Sequence, residues 1–81
     1  MSRRSTLTGL LVADQWETNG TVTGCALLTD DEEKYIVRFD DRLNDILLLL
    51  RQQITINGTL HNENKDKILH VITYVPAGPG A

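Results

Sequence analysis

Apolar residues alternate with polar ones along most of this chain, and two of the alternating stretches carry a glycine in the apolar phase. Near the start these are Leu7, Gly9 and Leu11; after a leucine-rich segment they are Ile54, Ile56, Gly58 and Leu60. Successive side chains of a strand point to opposite faces, so each stretch predicts a strand with one buried face. A glycine in that face marks a sharp bend or a place where another backbone comes close. The same alternation predicts strands over residues 6–14, 21–29, 34–39, 53–61 and 68–75. In the second, Val22, Gly24, Ala26 and Leu28 share one face and Thr21, Thr23, Cys25 and Leu27 the other. In the third, Tyr35, Val37 and Phe39 form the core side, with Lys34, Ile36 and Arg38 outward. Asn19-Gly20 supplies a turn that takes positive φ between the first two strands.

One segment departs from the two-residue rhythm. Leu43, Ile46, Leu47 and Leu50 follow helical spacing behind Asp40 and Asp41, either of which can accept hydrogen bonds from the first free amides. Leu48 and Leu49 widen the apolar stripe, which suits a helix plugging the end of a barrel or, alternatively, a face for a partner. The polar run Asn62-Glu63-Asn64-Lys65-Asp66-Lys67 predicts a hairpin loop long enough to project. Centring its turn on Asn64 and Lys65 pairs Thr59 with His70 and His61 with Ile68. Pro76 to Ala81 cannot continue a strand and is expected to form a flexible tail.

A chain of 81 residues makes one domain with one core, here a barrel over 6–75 followed by the tail 76–81. The longest aliphatic run, Ile46 to Leu50, is far short of the roughly 20 residues that span a bilayer. The opening residues Met1 to Thr6 lack the apolar stretch of a secretory leader. A cytoplasmic chain without membrane association is the expectation. Net charge is −3, and between residues 30 and 45 seven acids face three bases. A uniformly basic surface is therefore excluded, and an anionic partner must meet a local basic patch.

Three strands, a helix and two more strands, with glycines in the first and fourth, resemble the oligonucleotide/oligosaccharide-binding (OB) fold. That fold is mainly β, a five-stranded Greek-key barrel with one helix between strands 3 and 4. The resemblance rests on Thr6-Leu7-Thr8-Gly9-Leu10-Leu11 and on Gln53-Ile54-Thr55-Ile56-Asn57-Gly58-Thr59-Leu60. The latter is similar to the fourth strand of bacterial single-stranded-DNA-binding and primosomal proteins. SH3-like and Sm-like barrels share such patterns, although Sm-like chains usually put the helix first. The resemblance implies a nucleic-acid site on the outer faces of strands 2 and 3 and the flanking loops. Carried over by position, it falls on Trp16 in the first loop, Thr23, Lys34 and Arg38 on the strands, and Lys65 and Lys67 in the last loop. Such a site gives phosphates their cations and gives an unstacked base a π surface worth roughly 1 to 3 kcal/mol.

Other residues pull against this site. Trp16, Tyr35, Phe39 and Tyr74 are the only aromatics, and alternation sends Tyr35 and Phe39 inward. Trp16 either stacks on a base or lids the barrel. Lys65 and Lys67 interleave with Glu63 and Asp66, and Lys34 follows four acids that can neutralise it. Cys25 reads as an inert, buried thiol. His61 and His70 become diagonal neighbours on one face, and two imidazoles without a third ligand make at best a weak metal site. No cofactor and no enzymatic activity are expected. Two functions stay open: a noncatalytic OB-type module that binds single-stranded DNA or RNA weakly within a complex, or a protein-interaction or assembly module on the same barrel. A homodimer paired through strand edges belongs to the second.

Overall fold

The computed structural model describes residues 3–77. Five strands run in chain order: β1 (Arg3–Trp16), β2 (Val22–Thr29), β3 (Lys34–Arg38), β4 (Gln53–Glu63) and β5 (Asp66–Pro76), with a 3-10 helix at Asp41–Leu49 between β3 and β4. They close into a barrel in the order β1-β2-β3-β5-β4, with β4 returning to β1. β3 and β5 are parallel and every other neighbouring pair is antiparallel. The architecture is thus the mainly β barrel, with one helix between strands 3 and 4, that the hydrophobic pattern predicts.

The long strand β1 serves two neighbours. Its first half, Arg3–Leu10, is registered with β4, and its second half, from Gly9 to Trp16, with β2. Gly9 sits at the handover, opposite both Ile54 and Thr29. A β-carbon there would lie 2.8 Å from the carbonyl carbon of Leu28, so no larger residue fits without moving a strand. Gly58 plays the same part between Ser5 of β1 and Val71 of β5, next to a register shift in the β4–β5 ladder. Both glycines of the opening pattern therefore mark close backbone approaches.

Alternation builds the core as expected. Leu11, Leu27, Ile54, Ile56 and Leu69 are fully buried inside, and Cys25, Tyr35, Val37 and Val71 complete the lining. Phe39, Leu60 and Tyr74 pack against it from the ends. Among the described residues no polar or charged side chain is buried, so the interior holds together by apolar burial alone.

Ile46 closes one end, fully buried at the centre of the helix. The helix winds as a 3-10 helix, and its apolar residues also fit a period of three. Leu43, Ile46 and Leu49 form one row toward the core, Leu47 and Leu50 a second, and Arg42, Asp45 and Leu48 a third toward solvent. Leu43 N donates to Asp40 O at 2.9 Å and Gln52 N to Leu49 O at 3.1 Å, the i to i+3 bonds of this winding. Asp40 is the N-cap, its carboxylate accepting from the Arg42 amide at 3.0 Å. The Arg42 guanidinium also donates to it at 3.2 Å, and these bonds hold its carboxyl below the usual carboxylate range.

Three expectations change. The polar run 62–67 does not project as a loop, because Asn62 pairs with Lys67 and Glu63 with Asp66, leaving only Asn64 and Lys65 in the turn. Both take positive φ, 54° and 83°, the pair of values a two-residue hairpin turn with the strands' own twist requires. Pro76 ends β5 opposite Ile54 rather than beginning the tail, and the amide of Ala77 supplies the next bond, to Gln53 O at 2.9 Å. The tail beyond Ala77 lies outside the described residues. Trp16 closes β1 opposite Val22 instead of standing in a loop.

Candidate nucleic-acid interface

The outer surface of the barrel carries a belt of apolar residues in register across four strands, β1, β2, β3 and β5, which ends against a histidine on β4. Val12 pairs with Ala26, Ala26 with Ile36, Ile36 with Ile68 and Ile68 with His61. Ala26 and Ile68 are almost fully buried although they point outward. Long side chains tied across the strands account for this. Lys34 on β3 reaches over β2 to Asp14 on β1 at 2.7 Å, and in register Ala26 lies between them. Arg38 on β3 reaches over β5 to Glu63 on β4 at 3.2 Å, with Ile68 between. The two cations act as straps, their aliphatic stems covering the belt and their charges answered by acids.

Asp14 reaches its partner because it is the residue left out of register in β1, between Ala13 opposite Cys25 and Gln15 opposite Gly24. The hydrogen bond and charge of its carboxylate raise the Lys34 ammonium above its ordinary pKa. Burial, with the same negative charge added to it, pushes the Cys25 thiol up to about 11.

One of the two hairpin lysines is tied as well. Lys67 ion-pairs with Glu33 and lies over the Tyr35 ring, 5.6 Å from its centroid. Lys34, Lys65 and Lys67 do converge, on a hollow of about 180 Å³ shared with Glu33 and Asp66. Only Lys65 of these three has no ion pair among the described residues. Thr23 and Arg38 line a different, larger groove of about 510 Å³, where Asp14, Asp41 and Asp66 outnumber Arg38. Thr23 shares the phase of the core residues Cys25 and Leu27 but is exposed, because the β1–β2 ladder loses its register between Gln15 and Trp16.

Trp16 lies apart from all of these. It is 58% exposed, which makes it a poor lid and an available π surface. It borders a groove of about 330 Å³ with Val12, Ala13, Val22, Leu50 and Arg51. Arg51 is absent from the site read in the sequence, and no local signal links it to Trp16. It arrives there because Arg51 N donates to Leu11 O at 2.6 Å and Leu11 N to Gln52 O at 3.0 Å, docking the segment after the helix onto β1. Its φ of 71° is the left-handed residue that ends the helix.

His61 and His70 stack on the outer face of β4 and β5, ring centroids 5.6 Å apart and planes 22° from parallel. His61 Nε2 stands 3.5 Å from Glu63. Among the described residues, no group of three or more histidine, cysteine or acidic side chains is placed to hold a metal ion. No helix among them is long and apolar enough to cross a membrane. Comparison with known proteins gives no match, whether to a family model, a curated protein or a solved structure.

Proposed function

We propose that this chain is a noncatalytic OB-type module that binds single-stranded DNA or RNA, weakly alone and as part of a complex. The observation that carries the reading is the pairing of an exposed indole, Trp16, with Arg51 on one groove at the mouth of the barrel. A base stacked on the indole places its phosphate within reach of the guanidinium, and stacking of this kind tolerates any sequence. The strand order, with β3 parallel to β5 and the helix between β3 and β4, supports the OB assignment. The buried Cys25 thiol, its pKa pushed up to about 11, is a poor nucleophile.

Trp16 is the sole tryptophan, so its fluorescence reports on the groove directly. Titration with a short oligonucleotide at low salt is expected to quench it, and Arg51→Ala to weaken the response several-fold. Unchanged fluorescence at saturating oligonucleotide would end the reading.

A second reading is an assembly module, and one observation favours it: Leu48 stands 77% exposed on the outer row of the helix. Every strand has a hydrogen-bonded neighbour on both sides, so a dimer would use this face rather than a strand edge. Sedimentation of wild type against Leu48→Glu distinguishes the two, because only an assembly through the helix loses mass in the variant.

A further inference from the structure

Charge on this barrel is segregated by strand order. No aspartate or glutamate occurs within residues 3–13, 46–62 or 67–77, and the fold lays the strands of these stretches side by side, β4 between the first half of β1 and β5. On the outer face of the β1–β4 ladder stand Arg4, Thr6 and Thr8 opposite Thr59, Asn57 and Thr55. Arg4 Nε donates to Asn57 Oδ1 at 2.8 Å, and the hydroxyls of Thr8 and Thr55 bond at 2.8 Å. The partner of Arg4 is thus a neutral amide, and neither Arg4 nor Arg51 has an ion pair among the described residues. The ladder holds eight registered pairs, Arg3–Leu10 against Leu60–Gln53, a run of about 25 Å at roughly 3.3 Å per residue. Its Gln53 end continues directly into Arg51 and the Trp16 groove.

We infer that a single nucleic-acid strand lies along this β1–β4 seam, from Trp16 and Arg51 at one end to Arg4 at the other. The inference rests on the nucleic-acid reading above and places the strand on a different face from β2 and β3. There, Lys34 and Arg38 are committed to Asp14 and Glu63 as straps over Ala26 and Ile68, and a phosphate would have to displace those carboxylates. Along the seam it displaces nothing negative. The hydroxyl and amide groups between the two arginines donate to phosphate oxygens without reading sequence. The stretch of about 25 Å from Arg4 to the docking point of Arg51 accommodates roughly four nucleotides, the lower end of site sizes for a single barrel, and a base stacked on Trp16 lies beyond it.

The test is a binding titration with an oligothymidylate of about 12 nucleotides, followed by Trp16 fluorescence over a range of salt. Arg4→Glu and Thr6→Glu place an acid on the seam at exposed positions; Lys34→Ala and Arg38→Ala remove the straps. Each variant's fold is checked by circular dichroism and thermal melting. The seam variants are expected to weaken binding roughly tenfold at low salt, and Arg4→Glu to flatten the salt dependence by about 0.7 in log K per log salt for each phosphate it leaves without a cation. The strap variants are expected to stay within about twofold of wild type. Weaker binding by the strap variants, alone or together with the seam variants, would overturn the placement while the nucleic-acid reading stands. Absence of binding by the wild-type protein at low salt would overturn both.

Discussion

Gly58 of β4 faces the backbone of His70 on β5 so closely that a β-carbon would stand 2.9 Å from the His70 carbonyl carbon and 3.3 Å from the α-carbon of Val71. Backbone cannot yield as a side chain can. Gly58→Ala is therefore expected to destabilise the barrel by about 1 to 3 kcal/mol, the range for forcing atoms into a packed interior, and Gly9→Ala by a similar amount. Gly24 is the control: the nearest atoms to its added β-carbon belong to the flexible Gln15 side chain, at 3.0 Å and beyond, so Gly24→Ala costs far less. Urea denaturation of the three variants gives the comparison, and equal effects would sink the account of why the two motif glycines are there.

The hairpin turn contains a residue in the wrong chemistry for its backbone. Lys65 has φ 83°, a region that costs a side chain with a β-carbon roughly 1 to 2 kcal/mol. Asparagine followed by glycine is the preferred sequence of such a turn, and Asn64 already supplies the first of the two. Lys65→Gly is expected to raise stability by about 1 kcal/mol despite removing a surface charge. Thermal melting checks it; a lowered melting temperature would mean that Lys65 makes an interaction worth more than the backbone strain.

The fold was legible in the sequence because it depends on short-range alternation. Leu7, Gly9, Leu11, Tyr35, Val37, Ile54 and Ile56 fell on the right faces, and the turn centre at Asn64 and Lys65 gave the Thr59–His70 and His61–Ile68 pairs as found. What alternation does not encode is which charges meet. Lys34 follows Asp30 to Glu33 in sequence but pairs with Asp14 across β2, Arg38 pairs with a residue 25 positions away and Lys67 with one 34 away. Those partners depend on a strand irregularity at Asp14 and on barrel closure, both tertiary. The Trp16–Arg51 groove was hidden for the same reason. The 3-10 winding was masked because Leu43, Ile46, Leu47 and Leu50 satisfy periods of three and of 3.6 almost equally.

Two neighbouring residues of the helix separate the core from the surface. Ile46 is fully buried and Leu48 largely exposed. Ile46→Ala is expected to cost about 2 to 5 kcal/mol, the range for emptying a packed aliphatic site. Leu48→Ala should change stability by no more than about 0.5 kcal/mol. If the two losses prove alike in denaturant, the helix does not dock through the row Leu43, Ile46 and Leu49.

Cys25 links the core to pH. Its thiol rises from a usual 9.0 to about 11 because burial disfavours the thiolate and the charge of Asp14 adds to that penalty. Below pH 9 both folded and unfolded chains carry the neutral thiol, and the full stability is present. Above 9 the unfolded chain ionises while the folded one does not, so stability falls until the folded thiol also ionises near 11. The loss across that window is on the order of 2 to 3 kcal/mol, and Cys25→Ser or Cys25→Ala should abolish the thiol's share of it. The raised pKa of Lys34 acts in the same direction at higher pH, since its pairing with Asp14 is complete below 10.5 and is lost as pH climbs through the folded value. Denaturation of wild type and the cysteine variants between pH 7 and about 11 isolates the thiol's share. At pH 8 the native thiol should resist alkylation and the denatured thiol react readily; rapid labelling of the folded chain would show that the Cys25 site opens far more easily than its burial between Ala13 and Val37 in register implies.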